Sequence, residues 1–229
     1  MRLDLDREHL SALWQRQWPM GPPIAHELRA AYSDRWVRSH SLPGSKRYPE
    51  TEDEYAVVLD RNNTVLDEFF AGSDVYVVTT AWSSEPNGPE CPTRRREVHA
   101  DGSPWTTIAN EADPDPEFHT YTHLYADHRP WQRGSIDGIL REIAADALSG
   151  VLATDAGLQR IHHPYDGGAD VILTTPEERD RVQEPSYGLT LAASDRPVNR
   201  GSRDSPQRSG RSSNLATSHV VGLLCVASD

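Results

Sequence analysis

The sequence contains few cysteines, few aromatic residues and one lysine. Its two cysteines, Cys91 and Cys225, cannot build the multi-disulfide framework of a small secreted domain, and neither belongs to a paired Cys-x-x-Cys metal motif. We therefore expect a reducing compartment. Lys46 is the only lysine while arginine is plentiful. This usage is typical of a GC-rich coding sequence, so the arginine excess is weak evidence for anion recognition.

Long apolar runs are also missing. No stretch approaches the ~20 apolar residues of a membrane span, and residues 1–8 alternate in charge without the apolar run of a signal peptide. The formal net charge of -12 opposes binding to nucleic acid or to an anionic membrane surface, because both require clustered cations. We therefore expect a cytoplasmic protein that binds neither.

Apolar periodicity predicts two principal helices. The first runs from Thr51 to Gly72 behind a capping box, and the second covers 135–149 with Gly150 as its C-terminal cap. Shorter helices are predicted near the N-terminus and after the capping box that begins at Thr175. The acidic residues of the first principal helix fall away from its apolar stripe. They are Glu52, Asp53, Asp60 and Asp67.

Segments rich in β-branched and aromatic residues predict the strands of a sheet. These segments are 36–42, 75–82, 105–108, 118–125, 151–154, 158–165 and 169–173. The last two predict a hairpin that places Tyr165 opposite Ala169, with a positive φ at Gly167 or Gly168 of its turn. Residues 83–104 are predicted to form a long polar loop. The pattern favours an α+β fold, with a mainly antiparallel sheet of about five or six strands covered by the two principal helices.

The composition changes near residue 185. Residues 1–184 are predicted to form a single α+β domain, while 185–229 are dominated by Ser, Gly, Pro and Arg and are predicted to be a disordered tail. A GC-rich gene read out of frame yields a similar composition, so a non-native tail is the alternative.

Three stretches of the sequence carry a resemblance to a known family. They are Arg35-Trp36-Val37-Arg38-Ser39-His40-Ser41-Leu42-Pro43-Gly44-Ser45-Lys46-Arg47-Tyr48-Pro49, then Arg61-Asn62-Asn63-Thr64-Val65-Leu66, and His163-Pro164-Tyr165-Asp166-Gly167-Gly168-Ala169-Asp170-Val171-Ile172-Leu173. Together they resemble the bacterial family called domain of unknown function 3885, over roughly Trp18 to Glu184. The resemblance implies no activity and no catalytic residue.

Histidines and carboxylates around the hairpin are the candidates for catalysis. They are His163, Asp166 and Asp170. A metal site is disfavoured, because two positions four residues apart on a strand, such as His119 and His123, lie about 13 Å apart and cannot share one ion. We therefore predict no metal and no cofactor. Motifs for nucleophilic catalysis and for phosphate or dinucleotide binding are also missing.

The most basic part of the acidic region, apart from an arginine triplet at 94–96, supplies the candidates for binding. They are Arg38, His40, Lys46 and Arg47, with Tyr165 beside the hairpin turn. A carboxylate or other anion could bind to such a group. The favoured interpretation is that these cations pair with the acidic helices around them.

Two classes of function remain open. A non-catalytic acidic module that binds a basic protein, such as an immunity protein that neutralises a toxin, is favoured by the charge and by the missing catalytic motifs. The alternative is a small hydrolase or nuclease that uses the His and Asp residues of the 163–170 hairpin. The sequence favours a non-catalytic protein over an enzyme, and it leaves the oligomeric state open.

Overall fold

A computed structural model describes residues 5–87, 93–183 and 191–192 of the chain. These residues form six α-helices, eight strands and two single turns of 3₁₀ helix. In chain order the helices and strands are α1 (Arg7–Gln17), α2 (Ala25–Ala31), β1 (Trp36–His40), α3 (Glu52–Phe70), β2 (Asp74–Ser83), α4 (Thr93–Val98), β3 (Ser103–Asn110), β4 (Thr120–Pro130), α5 (Asp137–Ala144), β5 (Leu152–Asp155), β6 (Ile161–Tyr165), β7 (Gly168–Ile172), α6 (Pro176–Gln183) and β8 (Leu191–Ala192). The predicted α+β class is confirmed.

The strands form one antiparallel sheet in the order β3-β4-β2-β5-β6-β7-β1-β8. Seven strands contain four or more residues and β8 contains two, so the sheet is larger than the five or six strands predicted. Since β2 pairs with β5 and β5 with β6, β2 and β6 run in the same direction. We call the end of the sheet where these two strands finish the hairpin end, because the β6–β7 turn lies there.

Helices cover both faces of the sheet, not only the face of the two principal helices. Alternate residues of β2 enter different cores, with Val75 and Val77 facing α3 and α5, and Tyr76 and Val78 facing α1 and α2. A strand buried on both faces has a continuous apolar run, which explains this stretch of sequence. None of the helices in the described ranges is long and apolar enough to cross a membrane.

The predicted helix starts are confirmed by their capping bonds. The amide of Glu54 donates to the Thr51 hydroxyl at 3.3 Å, and the amide of Glu178 donates to the Thr175 hydroxyl at 3.2 Å. Asp6 caps α1 in the same way through its carboxylate. Each cap provides an acceptor for an amide that the helix itself leaves without one.

The second principal helix, α5, is shorter than predicted, and Gly150 lies beyond its end. The amide of Asp146 donates to the carbonyl of Ile143 at 3.0 Å, and the amide of Ala147 donates to that of Glu142 at 2.9 Å. These two bonds are those of a Schellman motif, in which the residue after the C-cap has a positive φ and is usually glycine. Here it is Asp146, with φ 57°.

The hairpin forms, but its predicted register and turn are wrong. Tyr165 pairs with Gly168 rather than with Ala169, which leaves a turn of two residues, Asp166 and Gly167. The one-residue shift places Val171 in the core opposite to the one that Ile161 joins. Neither Gly167 nor Gly168 is among the positive-φ glycines of the described chain, so the predicted left-handed glycine is also wrong.

Glycine is needed at position 168 because a neighbouring backbone approaches it closely, and not because of its own backbone conformation. A Cβ atom at this position would lie 2.1 Å from the carbonyl oxygen of Ser39 on the neighbouring strand β1. No side chain fits at that distance without moving backbone. Glycine is therefore required here because two backbones meet.

The predicted polar loop between β2 and β3 contains a helix, α4, followed by a buried histidine, His99. The sequence gives only a weak periodic signal for α4, because this helix has six residues. Residues 88–92, with Cys91, lie outside the described residues. Cys225 does so as well.

Strand β8 lies within the segment that we predicted to be a tail. It pairs with β1 through Ser39 opposite Leu191 and Arg38 opposite Ala192. The rest of 184–229 lies outside the described residues, so its disorder stays a prediction.

Candidate functional site

A cavity of about 210 Å³ opens at the hairpin end of the sheet. It brings together four of the candidates from sequence, which are Arg47, His163, Tyr165 and Asp166. The other lining residues are His26, Trp82, Asp146, Leu148, Ser149, Gly150 and Pro164. We call this cavity the hairpin pocket.

His163 is buried against the wall of the pocket. Its Nδ1 lies 2.7 Å from the carbonyl oxygen of Val151, to which it donates. Burial lowers the pKa of His163, and the hydrogen bond to Val151 opposes this shift without cancelling it. The ring is therefore neutral at pH 7, with the lone pair on Nε2.

Asp166 holds the cation of the pocket. Its Oδ2 lies 2.5 Å from Nε of Arg47, whose guanidinium lies 5.1 Å from the centroid of the Tyr48 ring. A hydrogen bond with Asp166 raises the pKa of Tyr48. Asp166 therefore has two partners, and its charge is compensated by Arg47.

Asp170 does not line the pocket but lies behind it. Only 5% of its surface is exposed, and its two oxygens lie 3.3 Å from Nε of Arg38 and 3.8 Å from Nη1 of Arg29. Both guanidiniums also lie over the ring of Trp36, at 5.2 and 5.5 Å from its centroid. This group ties α2 to β1. Arg29 is the member that sequence analysis missed.

Tyr165 lies between the pocket and this buried group. The guanidinium of Arg38 lies 5.5 Å from the centroid of its ring. Burial, with the negative charge of Asp170, raises the pKa of Tyr165 to about 12. Its hydroxyl therefore stays protonated and serves as a polar group of the wall.

His40 and Lys46, like Arg38, are binding candidates that do not line the pocket. The ammonium of Lys46 lies 2.7 Å from Oε1 of Glu54 on α3 and 3.2 Å from Oε2 of Glu50. This pairing with an acidic helix is the one favoured from sequence. His40 ends β1, and its carbonyl accepts a hydrogen bond of 3.0 Å from Arg61.

Two side chains of the pocket, Trp82 and Asp146, were not among the candidates from sequence. Trp82, at the end of β2, is 50% exposed. Asp146, in the Schellman motif, is exposed and makes no side-chain hydrogen bond or salt bridge with the described residues. No local signal could have found either, because both join the pocket only through the pairing of distant strands.

A second group of polar side chains is mostly buried, and only its arginine, Arg129, is partly exposed. Nδ1 of His99 lies 2.9 Å from Oγ1 of Thr79, and Nε2 lies 3.1 Å from Oδ1 of Asp127, which also pairs with Arg129. Burial raises the pKa of Asp127, but the hydrogen bonds from His99 and Arg129 outweigh burial and lower it. We call these four residues the buried network.

The buried network contains a hydroxyl, an imidazole and a carboxylate in a row, as hydrolase triads do. However, Thr79 has 0% of its surface exposed, so a substrate cannot reach its hydroxyl. A nucleophile must contact its substrate. The buried network is therefore structural.

A second cavity, of about 740 Å³, is lined by His99 of the buried network and by His123. Nε2 of His123 lies 2.8 Å from Oγ of Ser83, and Nδ1 lies 3.0 Å from Oγ1 of Thr107. His119 precedes β4 and bonds to a carbonyl of its own loop. Within the described ranges no group of three or more His, Cys, Asp or Glu residues could hold a metal ion.

One of three comparisons with known proteins gives a match. A profile of the family described as domain of unknown function (DUF3885) matches residues 24–188, slightly later at both ends than the range expected from the sequence. No curated protein and no solved structure matches the chain.

Proposed function

Because the chain belongs to the DUF3885 family, whose description assigns no activity, we propose from its surface that it is a non-catalytic module that binds a basic protein. An immunity protein, which neutralises a toxin by binding it, is one such module. The observation that carries the proposal is that exposed aromatic side chains gather at one end of the sheet among carboxylates.

Three exposed aromatic side chains lie at the hairpin end. The exposed fractions are 40% for Tyr48, 50% for Trp82 and 66% for Phe118. Trp82 is next to the last residue of β2, Phe118 lies two residues before β4 begins, and Tyr48 bonds to the hairpin turn through Asp166. Aromatic side chains are enriched in protein interfaces and among the residues that dominate binding energy.

The same end carries negative charge on a shaped loop. The β3–β4 connection contains four exposed carboxylates and no basic residue between β3 and Phe118; they are Glu111, Asp113, Asp115 and Glu117. The amide of Asp115 donates to Asp113 Oδ1 at 2.9 Å, and that of Glu117 donates to Asp115 Oδ1 at 3.1 Å. These bonds hold the loop in shape, which lowers the entropy that binding must remove. The negative electrostatic field of this loop favours a basic partner.

The acidic face of α3, which lies away from the apolar stripe of that helix, is a weaker candidate for the surface that binds the partner. Glu52 forms a salt bridge with Arg141, and Asp60 and Asp67 both pair with Arg133. Charge reversal there would break contacts within the protein. The β3–β4 loop is therefore the better place to test the charge.

The test compares partner capture and binding kinetics between the protein and two matched variants. Replacing Asp by Asn and Glu by Gln removes charge while keeping the oxygens that shape the loop. The loop variant carries Asp113→Asn, Asp115→Asn and Glu117→Gln, and the control carries Glu8→Gln, Asp34→Asn and Glu97→Gln, all exposed and away from the loop. We expect the loop variant alone to bind the captured protein more slowly, by about fivefold at low salt, with little change in dissociation.

Aromatic variants test the other half of the proposal. Trp82→Ala or Phe118→Ala should weaken binding of the same captured protein by about tenfold or more, mainly through faster dissociation. Met20→Ala removes a side chain that is 63% exposed between α1 and α2 and should have little effect. Equal binding by all of these variants would contradict the proposed surface.

One observation favours the alternative of a hydrolase or nuclease. His163 is neutral, lines a pocket and keeps a lone pair on Nε2, as a general base must. Against this, the neighbouring Asp166 and Asp170 both hold arginines. Hydrolytic activity that His163→Ala or Asp166→Ala abolishes, in a protein that captures no partner, would establish the enzyme instead.

A further inference from the structure

The hairpin pocket has the chemistry of a binding site for a single cationic side chain. We propose that it receives a lysine or arginine side chain of the basic partner, between the ring of Trp82 and the carboxylate of Asp146. This inference rests on the proposed function and specifies the partner's chemistry at one point of the surface.

The size of the pocket selects one side chain rather than a whole metabolite. Its volume is about 210 Å³. Pockets for drug-sized ligands begin at about 300 Å³. A lysine or arginine side chain is long and narrow, and its apolar stem can lie along Leu148 and Pro164 of the wall while the charged group reaches the carboxylates.

The charges of the pocket favour a cation. Besides two histidines, its lining contains two carboxylates and one guanidinium. Arg47 is bound to Asp166 at 2.5 Å, so this pair compensates itself. Asp146 is left as a carboxylate with no direct partner among the described side chains. The hydrogen bond to Asp166 raises the pKa of Arg47 and the charge of Asp146 adds to that rise, so Arg47 feels both carboxylates. The lining still has two carboxylates for one guanidinium, which favours a cation over an anion.

Trp82 provides the second attraction. Half of its surface is exposed, which is unusual for an indole, and its Cη2 lies 3.4 Å from where a Cβ atom of Gly150 would stand. The ring therefore lies within van der Waals range of the loop that follows α5, while the atom whose close approach requires glycine at position 150 is the hydroxyl oxygen of Thr80. Trp is the strongest aromatic partner for ammonium and guanidinium groups.

The backbone at Asp146 supports a role for its carboxylate. Its φ of 57° lies in the left-handed region at a position where helices usually have glycine. A non-glycine residue there costs about 1 kcal/mol, and such strain is concentrated at functional sites. Aspartate is one of the few non-glycine residues that tolerate this conformation, and here it places a carboxylate in the lining of the pocket.

The experiment titrates the full-length protein with side-chain probes and follows the amide of Gly150 and the indole N–H of Trp82 by NMR. The probes are Nα-acetyl-lysine amide and Nα-acetyl-arginine amide, with Nα-acetyl-glutamine amide and Nα-acetyl-glutamate amide as neutral and anionic comparisons. We expect saturable, millimolar binding of a cationic probe and at least threefold weaker binding of both comparisons.

Two variants and a matched control assign the binding to the pocket. Asp146→Asn keeps a residue that tolerates positive φ and removes the charge, so it should bind the cationic probe about fivefold more weakly while remaining folded. Trp82→Ala should lose about as much. Asp53→Asn, which removes an exposed charge on α3, should bind within about twofold of the unmodified protein.

The outcomes test the cation site in the hairpin pocket independently of the proposed function. Glutamine or glutamate probes that bind as tightly as the cations, or cation binding that Asp146→Asn leaves unchanged, would overturn the pocket assignment, even if the aromatic surface still binds a partner. Cationic probe binding that depends on Asp146 and Trp82 supports the assignment, even if partner capture fails and the proposed function falls.

Discussion

The buried network and the hairpin pocket contain the same kinds of side chain, but the arginine of the pocket is far more accessible to water than that of the network, where the Arg129 side chain is 25% exposed. In the buried network, Asp127 is 5% exposed and bonds to an imidazole that is itself buried. In the pocket, the side chain of Asp166 is 13% exposed and bonds to Arg47, whose side chain is 66% exposed. Ion pairs at exposed positions contribute little to folding, whereas a buried charge deprived of its partner is costly. Burial therefore makes one group structural and leaves the other free to bind.

The largest difference in folding stability is expected when the same substitution, Asp→Ala, is made in the buried network and in the pocket. Asp127→Ala should lower the free energy of unfolding by about 3 kcal/mol, because it strips the buried His99 and Arg129 of their shared acceptor. Asp166→Ala should lower it by about 1 kcal/mol or less, because water can replace the lost partner of Arg47. Urea denaturation of both variants at pH 7 measures the difference. Similar losses would mean that access to water does not distinguish the regions.

A smaller effect concerns His162, which follows neither pattern because it is buried without a polar partner. Among the described residues neither of its ring nitrogens has a hydrogen-bond partner, and burial, with the charge of His163, lowers its pKa to about 3. The unfolded chain binds this proton near pH 6.5, so stability that is complete above that pH falls as the pH decreases toward 3. By pH 5 the loss from this residue should reach about 2 kcal/mol.

His162→Leu tests this expectation by removing the titrating ring. The variant should be at least as stable as the unmodified protein at pH 7, since two unpaired polar atoms leave the core, and its stability should depend less on pH between 5 and 7. Unfolding free energies from urea denaturation at several pH values give both results. His9→Leu, at an exposed position on α1, is the matched control for the loss of one histidine. A steep pH dependence that persists in His162→Leu would assign the effect to other groups.

The smallest effect on stability is expected at Asp146, in the lining of the pocket. Asp146→Gly should stabilise the protein by about 0.5 to 1 kcal/mol, because glycine suits φ 57° at the Schellman position, while cationic probes bind at least as weakly as they do to Asp146→Asn. Ala145→Gly, one residue earlier at φ -83°, should destabilise by about the same amount. Thermal unfolding and probe titration of both variants provide the measurements. A destabilised Asp146→Gly would remove the argument from backbone strain.

Features that depend on a few neighbouring residues could be predicted from the sequence. The caps at Thr51 and Thr175, the apolar stripe of α3 and the presence of a hairpin near Asp166 were all predicted and are present. The hairpin register was not, because a shift of one residue alters no local preference and is fixed only when Gly168 meets the backbone of Ser39. The same limit applies to the end of α5. Its left-handed residue is an aspartate and not the glycine that the pattern favours.

The candidate site was predictable only in part, for a related reason. Residues near the hairpin in sequence, His163, Tyr165 and Asp166, were predicted because their order in the chain keeps them together, and Arg47 because it belongs to a basic stretch. The stretch that contains Asp146 reads as the end of a helix, and Asp146 joins the pocket only because β5 pairs with both β2 and β6.

The sequence by itself therefore determined the family, the α+β class, the helix starts and the acidic character of the chain, since each depends on composition or on interactions within a few residues. Tertiary structure decided which acids keep a free charge and which pair with arginines. It also sealed Asp127 and His99 in the core and left Trp82 exposed beside Asp146. The physical reason is that ion pairing, burial and cavity shape depend on distances between residues far apart in the chain, and pairing of the strands sets those distances.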